Sequence, residues 1–235
     1  MVQLIVDREL NEESDETLYT ELGTVASFID LQLDGLSVLE CEQLLKEFET
    51  LYEHLAQTND YAKFEFVINQ YAKSHGLKFE CTDRNISQLF QLMERCKDQG
   101  LTSVLGEFGK NIIVCAIQKR QAKSSIRIRL ILKQEGALVC ELLKNLLKKN
   151  HSCNLNFSRT IKFLIECEQI LNLADDCLDT FDDKRNNVIQ VKNQYLHGLI
   201  MAAYLIKQIA KTFLLFPKQF LYYTPTLIGF YLRNK

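Results

Sequence analysis

Apolar residues recur at steps of three and four along most of this chain, and that period, not the alternation of a strand, sets the expected architecture. Leu18, Leu22, Val25, Ile29 and Leu36 make the first seam, on a helix expected to open near Ser14, where Ser-Asp-Glu-Thr offers a cap and acidic first-turn residues. Gly35 and Ser37 read as that helix's end and the cap of the next. The second helix is predicted over Leu39–Leu55, with Leu44, Leu45, Phe48, Leu51 and Tyr52 inward and a row of Glu and Lys outward. Tyr61–Ser74 is the third, and Asp83 or Asn85 caps a fourth. The segment Thr102–Gln121 is helical in pattern but holds Gly106 and Gly109, which cost stability unless close packing or a ligand uses the missing side chains. Ser124-Ser125 breaks the pattern before a helix over Ile126–Lys148, and Lys148–Asn156 reads as a polar loop. Thr160–Arg185 and Val188–Phe216 are two further long helices, and Pro217–Leu232 is rich in aromatic residues, read first as core and second as pocket lining.

Composition sharpens this into a fold class. The chain has two prolines, both after residue 216, and no Asn-Gly or Asp-Gly turn between alternating strands. Proline costs a helix interior about 3 kcal/mol, so its absence over two hundred residues permits long uninterrupted helices. The expectation is all-α, a single-domain antiparallel bundle over residues 1–235. With 28 basic against 30 acidic side chains there is no electrostatic footprint for nucleic acid. Eight cysteines without a C-x-x-C pair read as buried free thiols of a reducing compartment. The start MVQLIVDREL lacks the marks of a signal peptide, and a cytoplasmic protein is expected. The membrane-like stretch Phe213–Leu232 contains Pro217, Lys218, Gln219 and Pro225, so it reads as core or at most interfacial, with no spanning segment. His54, His75, His151 and His197 stand apart from one another and from the cysteines, and each reads as structural.

Candidate chemistry lies in acids. Leu164, Glu168, Leu171, Asp175, Asp179 and Asp182 fall on one helical seam, so an apolar wall turns acidic along its length. Carboxylates in the last turns of a helix oppose its dipole, so a cation should offset them, either Lys184 and Arg185 in solvent or a divalent metal such as Mg²⁺. A second seam, Gly23, Ala26, Ser27, Asp30 and Asp34, leads small side chains up to two carboxylates and reads equally as a surface pair beside a close helix contact. Lys119, Arg120, Lys123 and Arg127 make a cationic patch that suits a diphosphate, or else a solvated face.

Asp175–Asp183, DDCLDTFDD, resembles the second aspartate-rich motif of trans-prenyl diphosphate synthases, D-D-x-x-D-x-x-G-D. Asp175, Asp176, Asp179 and Asp183 match it, and Asp182 stands at the glycine. Phe28–Asp34, FIDLQLD, resembles the D-x-x-x-D first motif of squalene and phytoene synthases and of some terpene synthases. Two acidic motifs in this order, with cations between, are similar to the class I isoprenoid synthases. The resemblance implies that Asp30, Asp34, Asp175, Asp176, Asp179 and Asp183 hold Mg²⁺, while Lys119, Arg120 and Lys123 hold diphosphate. It further implies a pocket walled by Gly23, Ala26, Ser27, Leu164 and Leu171, in which an allylic prenyl diphosphate is ionised for condensation or cyclisation. Asp30, Asp34, Asp175 and Asp179 would be catalytic. The short stretch before Asp30 implies an incomplete helical wall, met either by a partner subunit, as in a homo-oligomer, or by reduced activity. The competing expectation is a non-catalytic helical module that binds isoprenoids or a protein.

Overall fold

The computed structural model describes residues 2–10, 16–74, 83–151, 157–185 and 189–233. Ser14 lies outside them, and so do the side chains of Ser27, Asp30, Asp179, Asp182 and Asp183. The described residues form ten α-helices and no strand, as the apolar period requires. They are α1 (Val2–Leu10), α2 (Glu16–Asp34), α3 (Val38–Gln57), α4 (Tyr61–Ser74), α5 (Asp83–Asp98), α6 (Thr102–Gln121), α7 (Ser125–His151), α8 (Phe157–Arg185), α9 (Gln194–Leu215) and α10 (Pro217–Arg233). The chain divides into two compact units. Glu16–Gln118 holds α2 to α5 and most of α6, while Met1–Asp15 with Lys119–Lys235 holds α1, the end of α6 and α7 to α10.

In the Glu16–Gln118 unit, local signals fix the helix ends. Ser37 Oγ accepts the Glu40 N–H at 3.3 Å and Glu40 Oε2 accepts the Ser37 N–H at 2.7 Å, a capping box worth about 1 kcal/mol. Gly100 ends α5 at φ +70, where its N–H reaches the Lys97 carbonyl and the Leu101 N–H reaches that of Cys96, the two bonds of a Schellman cap. Between α2 and α5, Arg95 makes a two-pronged contact with Glu21, its Nε 2.9 Å from Oε2 and its Nη2 3.1 Å from Oε1. The Phe64 and Phe90 rings meet edge to face between α4 and α5. Close packing explains the two glycines of α6. A Cβ on Gly106 would stand 2.8 Å from the Tyr52 ring, and one on Gly109 2.6 Å from that of Phe48. The core behind them joins Leu33, Cys41, Ile113, Ala116 and Ile117.

The other unit is built on α8, which packs against α1, α7 and α9, with α10 laid on α9. Ile128, Ile131, Leu142, Leu146, Phe163 and Leu164 are among its fully buried side chains. Helices α7 and α8 approach closely at Gly136, where a Cβ would lie 3.3 Å from Asn172 Nδ2 and 3.4 Å from Glu168 Cβ. Asn172 uses that approach to donate to the Leu132 carbonyl at 3.2 Å. Helix α1 falls outside the predicted elements, being only nine residues long. It is held by Glu9, which accepts from Gln219 and from the Tyr223 hydroxyl, and by the Arg8 guanidinium lying 3.4 Å over the Tyr222 ring. Pro217 opens α10, where its missing N–H costs nothing. Helix α9 begins at Gln194 and not at Val188, because the Asn193 side chain caps it by accepting the Leu196 N–H. Cys41, Cys96, Cys115, Cys140 and Cys167 are buried and Cys177 is half-buried, all of them thiols outside any disulfide. Burial pushes the Cys140 and Cys167 thiols well above their ordinary range.

Candidate functional site

Neighbouring residues on a helix are turned about 100° apart, so Asp175 and Asp176 cannot share one environment. Asp175 is exposed, while Asp176 turns inward and is 3% exposed. A buried carboxylate needs a partner, and α9 provides it. His197, fully buried in the first turn of α9, places Nε2 3.1 Å from Asp176 Oδ2. Its other ring nitrogen, Nδ1, lies 2.8 Å from the Ser125 hydroxyl. Ser125 is the first residue of α7, set there by Ser124, whose Oγ accepts the Arg127 N–H at 3.3 Å.

This gives a hydrogen-bonded line from α7 through α9 to α8. A carboxylate oxygen can only accept, so the tautomer that carries its proton on Nε2 matches Asp176 Oδ2 and leaves Nδ1 to accept from the Ser125 hydroxyl. Asp176 Oδ1, also buried, has no hydrogen-bond partner among the described residues. The Thr180 hydroxyl donates to the Asp176 backbone carbonyl, not to its side chain. The arrangement therefore fixes one carboxylate oxygen and leaves the other with unused acceptor capacity.

Further along the same helix, Glu168 faces the Gly136 approach of α7. Desolvation by burial pushes it up to about 7. A raised carboxyl favours the protonated fold, so this contribution to stability is full below about pH 4.5 and is lost as pH rises through about 7. Glu168→Gln cannot ionise and should be more stable than the parent by about 2 kcal/mol at about pH 8, after discounting for partial exposure, and equal to it at about pH 4.5. Urea unfolding midpoints at the two pH values measure this, and equal midpoints at both would contradict it.

The remaining predicted residues are distributed as follows. Arg120 is buried and already partnered, Lys119 is half-buried and Lys123 exposed, all in the unit that holds Asp175 and Asp176. Leu164 is buried and Leu171 half-buried on the α8 wall. Asp34, Gly23 and Ala26 belong to the Glu16–Gln118 unit. There Asp34 and Ala26 are half-buried, and a Cβ on Gly23 would meet open space. Asp30, Ser27, Asp179 and Asp183 have side chains outside the description, and among the described residues no three His, Cys, Asp or Glu side chains cluster as a metal site. Among the described residues Asp176 meets His197, which in turn meets Ser125. Sequence reading leaves those two out. His197 stands 21 residues from Asp176, and no fixed spacing announces a contact made between separate helices.

No protein-family model matches the chain, and neither curated proteins nor solved structures give a match.

Proposed function

We propose that the chain is a class I isoprenoid synthase-like enzyme that ionises an allylic prenyl diphosphate. The observation that carries the reading is Asp176 Oδ1, a buried carboxylate oxygen without a partner among the described residues, at the start of an aspartate-rich run on a helix. Leaving such an atom unpaired costs about 1–3 kcal/mol or more, and a hard divalent cation is the chemistry that uses it. The residues fit Mg²⁺ on a further count. Carboxylates that hold metals are themselves hydrogen-bonded from behind, and His197 does this to Oδ2.

On this reading Asp176 would hold Mg²⁺, with exposed Asp175 beside it on the motif. The cation would supply Lewis-acid neutralisation of the leaving diphosphate. His197 fixes the carboxylate in one orientation and Ser125 fixes the imidazole, so neither must reorganise as charge develops. Lys119 and Lys123 take phosphate charge as point cations. Leu171 belongs to the apolar wall that excludes water from the allyl cation.

The test is magnesium-dependent release of inorganic diphosphate from geranyl, farnesyl and geranylgeranyl diphosphates. Release from at least one is expected, falling roughly 10–100-fold in Asp176→Asn, with Asp34→Ala as the matching variant of the first motif. A folded parent protein that releases none overturns the reading. The second reading, a non-catalytic module, is favoured by the enclosure of Asp176 behind His197, and it predicts binding of a prenyl diphosphate without release.

A further inference from the structure

Helix α9 is built with its polarity reversed. Its buried face carries His197, Gln208 and Thr212 with Met201 as its one apolar member. Two of these are used in polar contacts with α8, His197 to Asp176 and Gln208 to Glu166 at 2.6 Å. Its outward face carries Tyr195, Leu199, Ile206 and Leu214, exposed by 68%, 70%, 68% and 77%. Steps of four, seven and eight put them on one side of the helix. On α10, which packs on α9, Leu221 and Tyr222 are exposed as well, Tyr222 with the Arg8 guanidinium over one side of its ring. Soluble helices bury the apolar stripe and expose the polar one, and contiguous apolar surface of this kind marks an interaction site.

Charge identifies the occupant. After Asp183 the chain has eight Lys or Arg residues and no Asp or Glu, within a protein whose net charge is −2. Lys207, Lys211 and Lys218 are exposed along the same two helices. Lys211 meets Glu166 at 2.6 Å, while Lys207 and Lys218 have no ion-pair partner among the described residues. Aromatic and aliphatic side chains flanked by lysines, with acids excluded, match the headgroup zone of an anionic bilayer. Helix α9 is long and apolar enough to cross a membrane by length and composition, and most of it lies outside the core. Its polar face is nevertheless committed to α8, so only one side is open to lipid. From the reversed polarity and the acid-free basic flank we infer that the outer face of α9 and α10 seats the protein in the plane of an anionic lipid surface.

This differs from the expected interfacial stretch, Phe213–Leu232, in placing most of the contact one helix earlier. The experiment is sedimentation of the full chain with phosphatidylcholine vesicles, with and without phosphatidylserine. Binding should be about tenfold tighter with phosphatidylserine and should weaken in high salt. The double variant Leu199→Glu/Ile206→Glu changes only exposed positions and should stay in the supernatant while keeping its helical circular dichroism and melting temperature. Lys207→Glu/Lys218→Glu should lose the preference for phosphatidylserine. Failure of the parent protein to sediment with anionic vesicles overturns the inference. So does a dimer, seen by size-exclusion chromatography, that Leu199→Glu/Ile206→Glu splits while neither form binds vesicles.

Discussion

His197→Ala should lower stability by about 3–5 kcal/mol, because it strips a buried carboxylate of its partner and opens a cavity at a fully enclosed position. The cost should be non-additive. In Asp176→Leu the imidazole keeps the Ser125 hydroxyl and has no charge to face, so the loss should be smaller, about 1–2 kcal/mol. Combining the two removes the stranded charge, and the pair should couple by about 2 kcal/mol in a double-mutant cycle read by urea unfolding. A loss below about 1 kcal/mol for His197→Ala would mean that the imidazole does not carry Asp176. The same cycle bears on function. If Oδ1 takes Mg²⁺, the cation and diphosphate together should raise the melting temperature of the parent protein and leave Asp176→Leu unmoved.

The second large effect is expected at Gly109. Alanine is ordinarily the better helix former by about 1 kcal/mol, yet here its methyl would enter the Phe48 ring. The ring cannot easily move aside. It stacks on Tyr52 with centroids 5.7 Å apart, and Tyr52 is pinned by its hydroxyl, which donates to the Thr102 carbonyl at 2.6 Å. Overpacking of this kind costs about 1–3 kcal/mol, so Gly109→Ala should be destabilising by thermal and urea unfolding in spite of its propensity. Pairing it with Phe48→Leu should return much of the loss. If Gly109→Ala proves more stable than the parent, the α3–α6 contact is looser than drawn.

Periodicity carried most of the fold in advance. Tyr61–Ser74 and Thr102–Gln121 coincide with the predicted spans, and Ser37 caps α3 as its sequence requires. The departures have local causes. Helix α1 is too short for its period to stand out, and the start of α9 is decided by one side-chain cap at Asn193. Helix α7 runs on to His151, into the stretch read as a polar loop, since nothing between Lys148 and His151 forbids another half turn.

The candidate site was legible in kind and less so in geometry. The aspartate run showed where carboxylates gather, and the change of side between Asp175 and Asp176 follows from helical geometry alone. The contact from Asp176 to His197 needed the packing of α8 on α9, which residue spacing does not encode. Helix α9 makes the same point about direction. Leu196, Leu199, Ile206 and Ile209 announced an apolar helix, but the core took His197 and Gln208, and the leucines and isoleucines were left outside. Hydrophobicity fixes how much of a helix avoids water, and the polar partners offered by its neighbours decide which side it turns inward.

The enclosed thiols have a practical consequence. Alkylating reagents attack the thiolate, and Cys140 and Cys167 are both sealed from solvent and held in the protonated form. Modification must therefore wait for the surrounding helices to part, so its rate is a clock for transient opening. Cys41 and Cys115 keep the same time for the Glu16–Gln118 unit, which lets one reagent with mass readout follow the breathing of each half of the chain separately, without any added label.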